Sequence, residues 1–199
     1  MDPDTTQPTY PASWESDFEL TDGNSVHIRP ITAADAAPLR RFHSQLSPHS
    51  VYFRFFTLYP ELRDTDVLRF THCDQVNRVA FVAMDGSAIV GVGRYDRLSN
   101  PAVAEVAFVV RDDFQGHGIG TLLLDRLAHA ARDRGIHRFV ALVLADNVRM
   151  RRLFADSGYA MTATFDDGYI TMEFSIDPAQ PSSSTSPTDS RGVAGMSAP

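Results

Sequence analysis

The sequence predicts an α+β fold in which helices flank a mixed, mostly antiparallel sheet. Three observations carry this prediction. Strand-like and helix-like periodicities follow one another in the order strands, helices, three strands, helix, strand, helix, two strands. Two strand pairs close on short acidic-glycine turns, Asp85-Gly86 and Asp166-Asp167-Gly168. The long apolar strand Ala102–Val110 runs through Arg111-Asp112-Asp113-Phe114 into a glycine-rich turn, and the turn runs straight into an amphipathic helix.

Each element has a local cause. Phe18-Glu19-Leu20 and Val26-His27-Ile28-Arg29 alternate in polarity about the turn Thr21-Asp22-Gly23-Asn24, as a hairpin does. Thr32 is a cap for a helix over 33–46, with Leu39, Phe42 and Leu46 on one face. Ser47-Pro48 opens a second helix by the cap-then-proline rule, through Val51, Tyr52 and Phe55, and Asp64 caps a third over 65–71. Val79–Met84 and Ala88–Arg94 form a hairpin, followed by the strand 102–110. Ile119–Arg134 is a helix that buries Ile119, Leu122, Leu123, Leu127 and Ala130 and stops at Gly135. Phe139–Leu144 is a strand, Asn147–Ser157 a helix ending at Gly158, and 160–165 with 169–176 the last hairpin.

The flanks differ in composition. Residues 1–16 are rich in Pro, Thr, Ser and Asp and read as a loose arm; 177–199 form a Ser/Thr/Pro/Gly tail that cannot bury a core. The folded part is expected over 17–176. The chain has 199 residues, 43% of them hydrophobic, enough for one domain with a substantial core. A single cysteine, Cys73, excludes an intrachain disulfide and a multi-cysteine zinc site. The scattered histidines lack metal-ligand spacing, so no metal is expected. The net charge of -7 argues against nucleic acid as a partner. With no secretory signal and no apolar run of membrane-spanning length, the expected compartment is the cytoplasm, away from membranes.

The turn Gln115-Gly116-His117-Gly118-Ile119-Gly120-Thr121 presents backbone N–H groups at a helix N-terminus, a ready anion site. Its spacing misses the Gly-x-Gly-x-x-Gly of dinucleotide folds, and it lacks the lysine of a P-loop. It matches Gln/Arg-x-x-Gly-x-Gly/Ala, the pyrophosphate loop of the GCN5-related N-acetyltransferases (GNAT), and the order of elements resembles theirs. The resemblance implies the GNAT fold, with strand 102–110 splayed from a parallel neighbour, Phe139–Leu144, and the pantetheine arm of acetyl-CoA in the gap. It implies that backbone groups of Val109, Val110 and Arg111 pair with the pantetheine amides. The loop residues from Gln115 to Thr121, His117 among them, would hold the pyrophosphate. Asn147-Val148-Arg149-Met150-Arg151-Arg152-Leu153-Phe154 resembles the family's Asn-x-x-Ala-x-x-Leu-Tyr helix, placing Asn147 and Met150 at the cofactor. Asn147 also reads as a plain N-cap, and Arg149, Arg151 and Arg152 as a basic turn for the 3′-phosphate or as a solvated face.

Glu105 stands inside Val103-Ala104-Glu105-Val106-Ala107-Phe108, a strand apolar on both faces, where a charge is costly unless paired or used. Burial raises a carboxyl pKa toward that of a general base. In the resembled family a glutamate on this strand deprotonates the acceptor amine, commonly through water. The alternative is a buried glutamate paired to an arginine such as Arg94. The family tyrosine that protonates the leaving thiolate is Phe154 here, so no general acid is assigned. Cys73 beside His72 reads as a packing or surface cysteine.

Val26-His27-Ile28-Arg29-Pro30-Ile31-Thr32 and Leu46-Ser47-Pro48-His49-Ser50-Val51-Tyr52-Phe53-Arg54-Phe55-Phe56 are similar to the acetyltransferase domain of the bacterial protein lysine acetyltransferases called Pat. The resemblance implies transfer of an acetyl group from acetyl-CoA to a protein lysine, as in acyl-CoA synthetases. The extra regulatory domain of some Pat enzymes has no room in 199 residues. A small-amine acetyltransferase and a non-catalytic acyl-CoA-binding module stay open as alternatives. Arg40, Arg41, Arg54, Arg63 and Arg69 of the helical stretch are candidates for an acidic partner surface, or are solvated.

Overall fold

A computed structural model describes residues 10–177. They form an eight-stranded sheet in the order β1-β2-β3-β4-β5-β6-β8-β7. The strands are β1 Ser16–Glu19, β2 Ser25–Pro30, β3 Arg78–Asp85, β4 Ala88–Arg97, β5 Val103–Val110, β6 Arg138–Leu144, β7 Met161–Asp166 and β8 Tyr169–Ser175. Every neighbouring pair is antiparallel except β5–β6, which is parallel. The mixed, mostly antiparallel sheet expected from the sequence is present.

The helices divide between the two faces. Helix α4 (Ile119–Arg132) packs across β3, β4 and β5. Leu123, Leu127, Ala128 and Ala131 are fully buried there among Phe81, Tyr95, Phe139 and Phe174. The other face is covered by α1 (Ala36–Ser44), α2 (Pro48–Phe55) and α3 (Asp64–Thr71) over Ala80, Val82, Ile89 and Val92. Helix α5 (Val148–Ala155) follows β6 and seats Phe154 between Phe108 and Phe174, with ring centroids 6.0 and 5.0 Å away. No helix of the described residues is long and apolar enough to cross a membrane.

Three local expectations change. The first helix opens with a 3-10 turn over Ala33–Asp35, closed by a Thr32–Asp35 capping box, because the Asp35 carboxylate reaches back to the Thr32 N–H. Asp64 does not cap α3; Arg63 is the N-cap, and the Asp64 carboxylate pairs with Arg40 instead. Residues 10–16 are docked rather than loose: Trp14 lies against Phe81 at 5.8 Å and Arg134 stacks over its ring at 5.3 Å. Positions 1–9 of the arm lie outside the described residues. So does the expected tail except Asp177, which bonds His137 Nδ1 at 2.8 Å.

Candidate active site

The parallel pairing of β5 and β6 covers Val103, Ala104 and Glu105 against Arg138, Phe139 and Val140, and then stops. Beyond Glu105 the two strands part. β5 stays laddered to β4 up to Val110, and β6 to β8 along its whole length, so the gap between them is a cleft in a continuous sheet. Phe53, Arg54, Glu105, Phe108, Leu142, Asn147 and Met150 are among its lining residues.

Which backbone groups face the gap follows from the β4–β5 ladder. Leu98 N donates to Val103 O, and Arg111 N donates to Val90 O. By antiparallel alternation the odd-numbered residues 103–111 turn their N–H and C=O toward β4, and the even-numbered ones turn theirs the other way. This corrects the expectation for Val109, whose backbone groups serve the ladder, and for Arg111, whose N–H serves the ladder while its carbonyl accepts from Phe114 N at 2.9 Å. Phe108 and Val110 face the gap. The Val110 carbonyl already accepts from Gln115 Nε2 at 2.9 Å. The Arg111 side chain forms a two-point pair with Asp113 (2.7 and 2.9 Å) and lies over Phe114.

Glu105 is exposed, in contrast to the buried setting expected for it. Even-numbered residues of the strand pack under α4 and Val109 packs under the α1–α3 helices, while Glu105 lies where the second face opens into the cleft. Arg94 is not its partner: that guanidinium holds Asp96 at 2.9 and 3.0 Å. Among the described residues Glu105 has neither a hydrogen bond nor an ion pair through its side chain. It stands directly across from Asp96 in the β4–β5 register, a like-charge neighbour that the Arg94 guanidinium offsets.

The glycine turn lies at the wide end of the cleft. Gly116 and Gly118 adopt φ of 86° and 93°, a region only glycine enters without strain, and nothing lies within 4 Å of where a Cβ would stand on either. The N–H groups of Gly116, His117 and Gly118 have no acceptor among the described residues. Those of Ile119, Gly120 and Thr121 form the first turn of α4, where an intrahelical partner is missing by geometry. Backbone N–H groups without partners among the described residues, at the positive end of a 14-residue helix, suit a pyrophosphate. Gly120 has a second reason: a Cβ there would come within 2.4 Å of Leu153 Cδ1, so the close approach of α4 and α5 requires it. The Ile119 side chain is buried in the core, leaving only its backbone to the turn. Thr121 is exposed; His117 meets Asp22 of the β1–β2 turn at 3.8 Å.

The loop is tied to the helical face. Asp112 accepts from Ser47 N, Ser47 Oγ and Ser50 Oγ at 2.8–2.9 Å. Burial works against its charge, but these donors outweigh burial and hold its carboxyl below the ordinary range. Gln115 Nε2 donates to Ser50 Oγ at 3.2 Å, and its Oε1 accepts from Arg149. Asn147 caps α5 through Oδ1, which accepts from Met150 N at 3.1 Å, while its buried side chain also lines the cleft. The N-cap reading of this residue is therefore present in the structure. Arg151 is turned onto the Ala145 carbonyl and Arg152 is exposed. Phe154 is buried and has no proton to give; Tyr159 stacks on Phe174 with ring centroids 5.9 Å apart. Cys73 is buried in the core between α1–α3 and the sheet, with its thiol pushed up by burial.

Sequence reasoning left Phe53, Phe56 and Leu142 out of the site and gave Arg54 only to the surface. The signal was present in Tyr52-Phe53-Arg54-Phe55-Phe56, which is apolar around most of a helical turn and therefore too apolar for a helix with one buried face.

Comparison with known proteins agrees with this geometry. Residues 47–159 match the acetyltransferase (GNAT) family model. An acetyltransferase of Pseudomonas aeruginosa is 32% identical over 152 residues, covering 74% of this chain and 82% of its own. The acetyltransferase Pat of Mycolicibacterium smegmatis is 29% identical over 163 residues, 80% of this chain; the chain spans about half of that relative's length, 48%. The crystal structure of the GNAT domain of S. lividans Pat superposes with a TM-score of 0.80 at 44% identity, over 83% of this chain and 99% of that one. The parted parallel strands, the glycine turn at the start of α4 and these matches converge: the chain belongs to the GNAT family of acetyltransferases.

Proposed function

We propose that the protein is an acetyl-CoA-dependent protein Nε-lysine acetyltransferase with Glu105 as general base and an acyl-CoA synthetase as acceptor. The observation that carries this reading is a free carboxylate at the point where β5 and β6 stop pairing. The GNAT family takes its acetyl group from acetyl-CoA. The loop N–H groups suit its pyrophosphate, and Phe108 and Val110 offer backbone groups to its pantetheine amides. Asn147 and Met150 border the same arm. The catalytic unit is assigned to 17–176, between the arm 1–16 and the tail 177–199, and its compartment to the cytoplasm.

A lysine ammonium has a pKa of about 10.4 and is protonated at pH 7. Glu105 removes that proton, directly or across one water. The freed nitrogen attacks the thioester carbonyl, the N–C bond forms and the C–S bond breaks. A thiol with a pKa of roughly 8.5 leaves as thiolate without an acid, which the replacement of the usual tyrosine by Phe154 requires.

The similarity to Pat supports the protein acceptor. The test is transfer from labelled acetyl-CoA to a purified acyl-CoA synthetase and to a panel of free amines. One dominant modified lysine on the synthetase is the expected result. Rapid turnover of a free amine with an unmodified synthetase selects the small-amine reading. Binding of acetyl-CoA with no transfer to any acceptor selects a non-catalytic binding module.

A further inference from the structure

The five arginines of the helical segment have separate fates. Arg40 is held by the Leu62 carbonyl at 2.6 Å and by Asp64, and Arg63 by Asp66 at 2.8 Å. Arg41 and Arg69 are exposed. Arg54 turns inward from the last turn of α2 and borders both cavities: the cleft that holds Glu105 and the apolar cavity under α1–α3. Its guanidinium has no hydrogen bond and no ion pair among the described residues; its closest charge-bearing relation to an aromatic is the Phe55 ring, 5.0 Å away. Its side chain is surrounded by protein yet keeps partial access to solvent.

No carboxylate engages Arg54 among the described residues. Arg94 lines the same apolar cavity, and its counter-ion Asp96 is committed to it by two hydrogen bonds. Glu105 shares the cleft with Arg54 without pairing to it. Of the two carboxylates near Arg54, Asp96 is committed to Arg94 and Glu105 makes no pair, so neither holds the Arg54 guanidinium. Burial and the like charge of Arg94 lower Arg54 to about 10, and it remains a cation at neutral pH. An enclosed cation without a partner is costly, and a planar guanidinium is shaped for two-point recognition of a carboxylate.

We propose that Arg54 is the carboxylate-binding residue of the acceptor site, so that the acceptor is an amine with a carboxylate close by. On the protein-acceptor reading, on which this inference rests, that acceptor is a lysine with an aspartate or glutamate beside it. The two ends of the cleft then have opposite tasks: Glu105 receives the ammonium, and Arg54 fixes the carboxylate and with it the direction of approach. The adjoining cavity of about 40 Å³ has room for a carboxylate group or for a few waters in its place.

The test uses the full chain loaded with CoA and two peptides that differ at one position, glutamate or glutamine beside the single lysine. Free lysine and lysine amide form a second pair. Calorimetry should show the carboxylate-bearing member of at least one pair binding on the order of 10-fold more tightly, the range of a charge-assisted hydrogen bond. Arg54→Gln should abolish the preference, and Arg54→Lys, which keeps the charge but loses the planar fork, should restore part of it. In turnover the difference should fall on the acceptor KM. Equal binding within both pairs overturns the proposal, as does a preference that survives in Arg54→Gln. If Arg54→Gln does not fold, as judged by circular dichroism, an undiminished preference in Arg54→Lys overturns it. Carboxylate preference without peptide acetylation keeps the subsite and removes the protein-lysine reading; acetylation without preference does the reverse.

Discussion

The two faces of the central sheet are built on different terms. On the α4 face, side chains such as Leu123, Leu127, Phe139 and Tyr95 are fully buried, and glycines 91 and 93 let the helix approach closely; a Cβ on Gly93 would meet Leu127 at 3.1 Å. On the α1–α3 face the buried set includes Asp35, His43, Ser50, Thr71 and Arg94, with Arg54 in the wall between two cavities. Polar groups in an interior lower stability unless each is satisfied. His43 Nε2 has no partner among the described residues, and neither does Arg126 Nε on α4; Arg54 makes no ion pair there. The difference teaches that the α4 face holds the fold and the other face holds chemistry in reserve. Where β5 leaves β6, Glu105 projects on the chemical side.

Two substitutions should separate these roles most sharply. Glu105→Gln should lower kcat by roughly 10²–10⁴-fold, the usual cost of losing a general base. Its denaturation midpoint should stay put, since Glu105 is exposed and unpaired among the described residues. Matching rate–pH profiles for Gln and Glu at this position would make the residue structural and dissolve the contrast. Leu127→Ala should do the opposite. A fully buried leucine cut to alanine costs about 2–5 kcal/mol, read as a lower denaturation midpoint, with KM for acetyl-CoA near the parent value at 25 °C.

Legibility in the sequence also divides along this line. The α4 face was readable because its periodicity has a single cause: Ile119, Leu123 and Leu127 recur at helical spacing and all point into one core. The glycine turn was readable because positive φ leaves few residue choices. Glu105 stands out in the sequence as a charge in an apolar strand, but its exposure is not legible there, since an apolar strand lining a cleft and one packed on both sides share a pattern. The orientation of the Val109 and Arg111 backbone depends on which neighbour β5 ladders to, a long-range fact. Arg54 was legible as a residue type and not as a position, because a helix that borders two cavities has no single apolar stripe.

A smaller effect tests whether the glycine turn belongs to function or to packing. Gly118→Ala keeps the space open, since nothing lies near its Cβ position, but forces alanine to φ near 93°. The strain is about 1–2 kcal/mol, and relaxation of the turn should disperse the N–H groups and weaken acetyl-CoA binding. Gly120→Ala presses instead on Leu153 Cδ1, the far end of a flexible side chain, and should shift stability more than cofactor affinity. Calorimetry with acetyl-CoA beside thermal unfolding distinguishes the two. Equal loss of affinity in both variants would mean that the α4–α5 contact, not the turn, sets the binding geometry.

The smallest expected effect is a pH dependence confined to the chemical face. His43 is buried, with Phe55 and Tyr59 ring centroids 5.8 and 6.0 Å from its own, and burial holds its imidazole below the ordinary value of 6.5. The charged groups that line its cavity are Arg54 and Arg94, and Arg54, lowered to about 10, stays cationic throughout the acidic range. Above pH 6.5 the imidazole is neutral in both folded and unfolded chains, and it adds no slope. As pH falls below 6.5 the unfolded chain takes up the proton and the folded one resists, so stability drops by at most about 1.4 kcal/mol per pH unit until the folded value is reached. Asp35 and Asp112, held low by Arg29 and Thr32 and by Ser47 and Ser50 against the effect of burial, act in a separate window: their stabilisation is present above the ordinary carboxyl range and is lost only as pH falls below it. His43→Leu should therefore flatten the stability profile just below pH 6.5 and leave the decline below pH 4 in place, as followed by urea unfolding across pH. A slope unchanged by this substitution would assign the pH response to other histidines and leave His43 with packing alone.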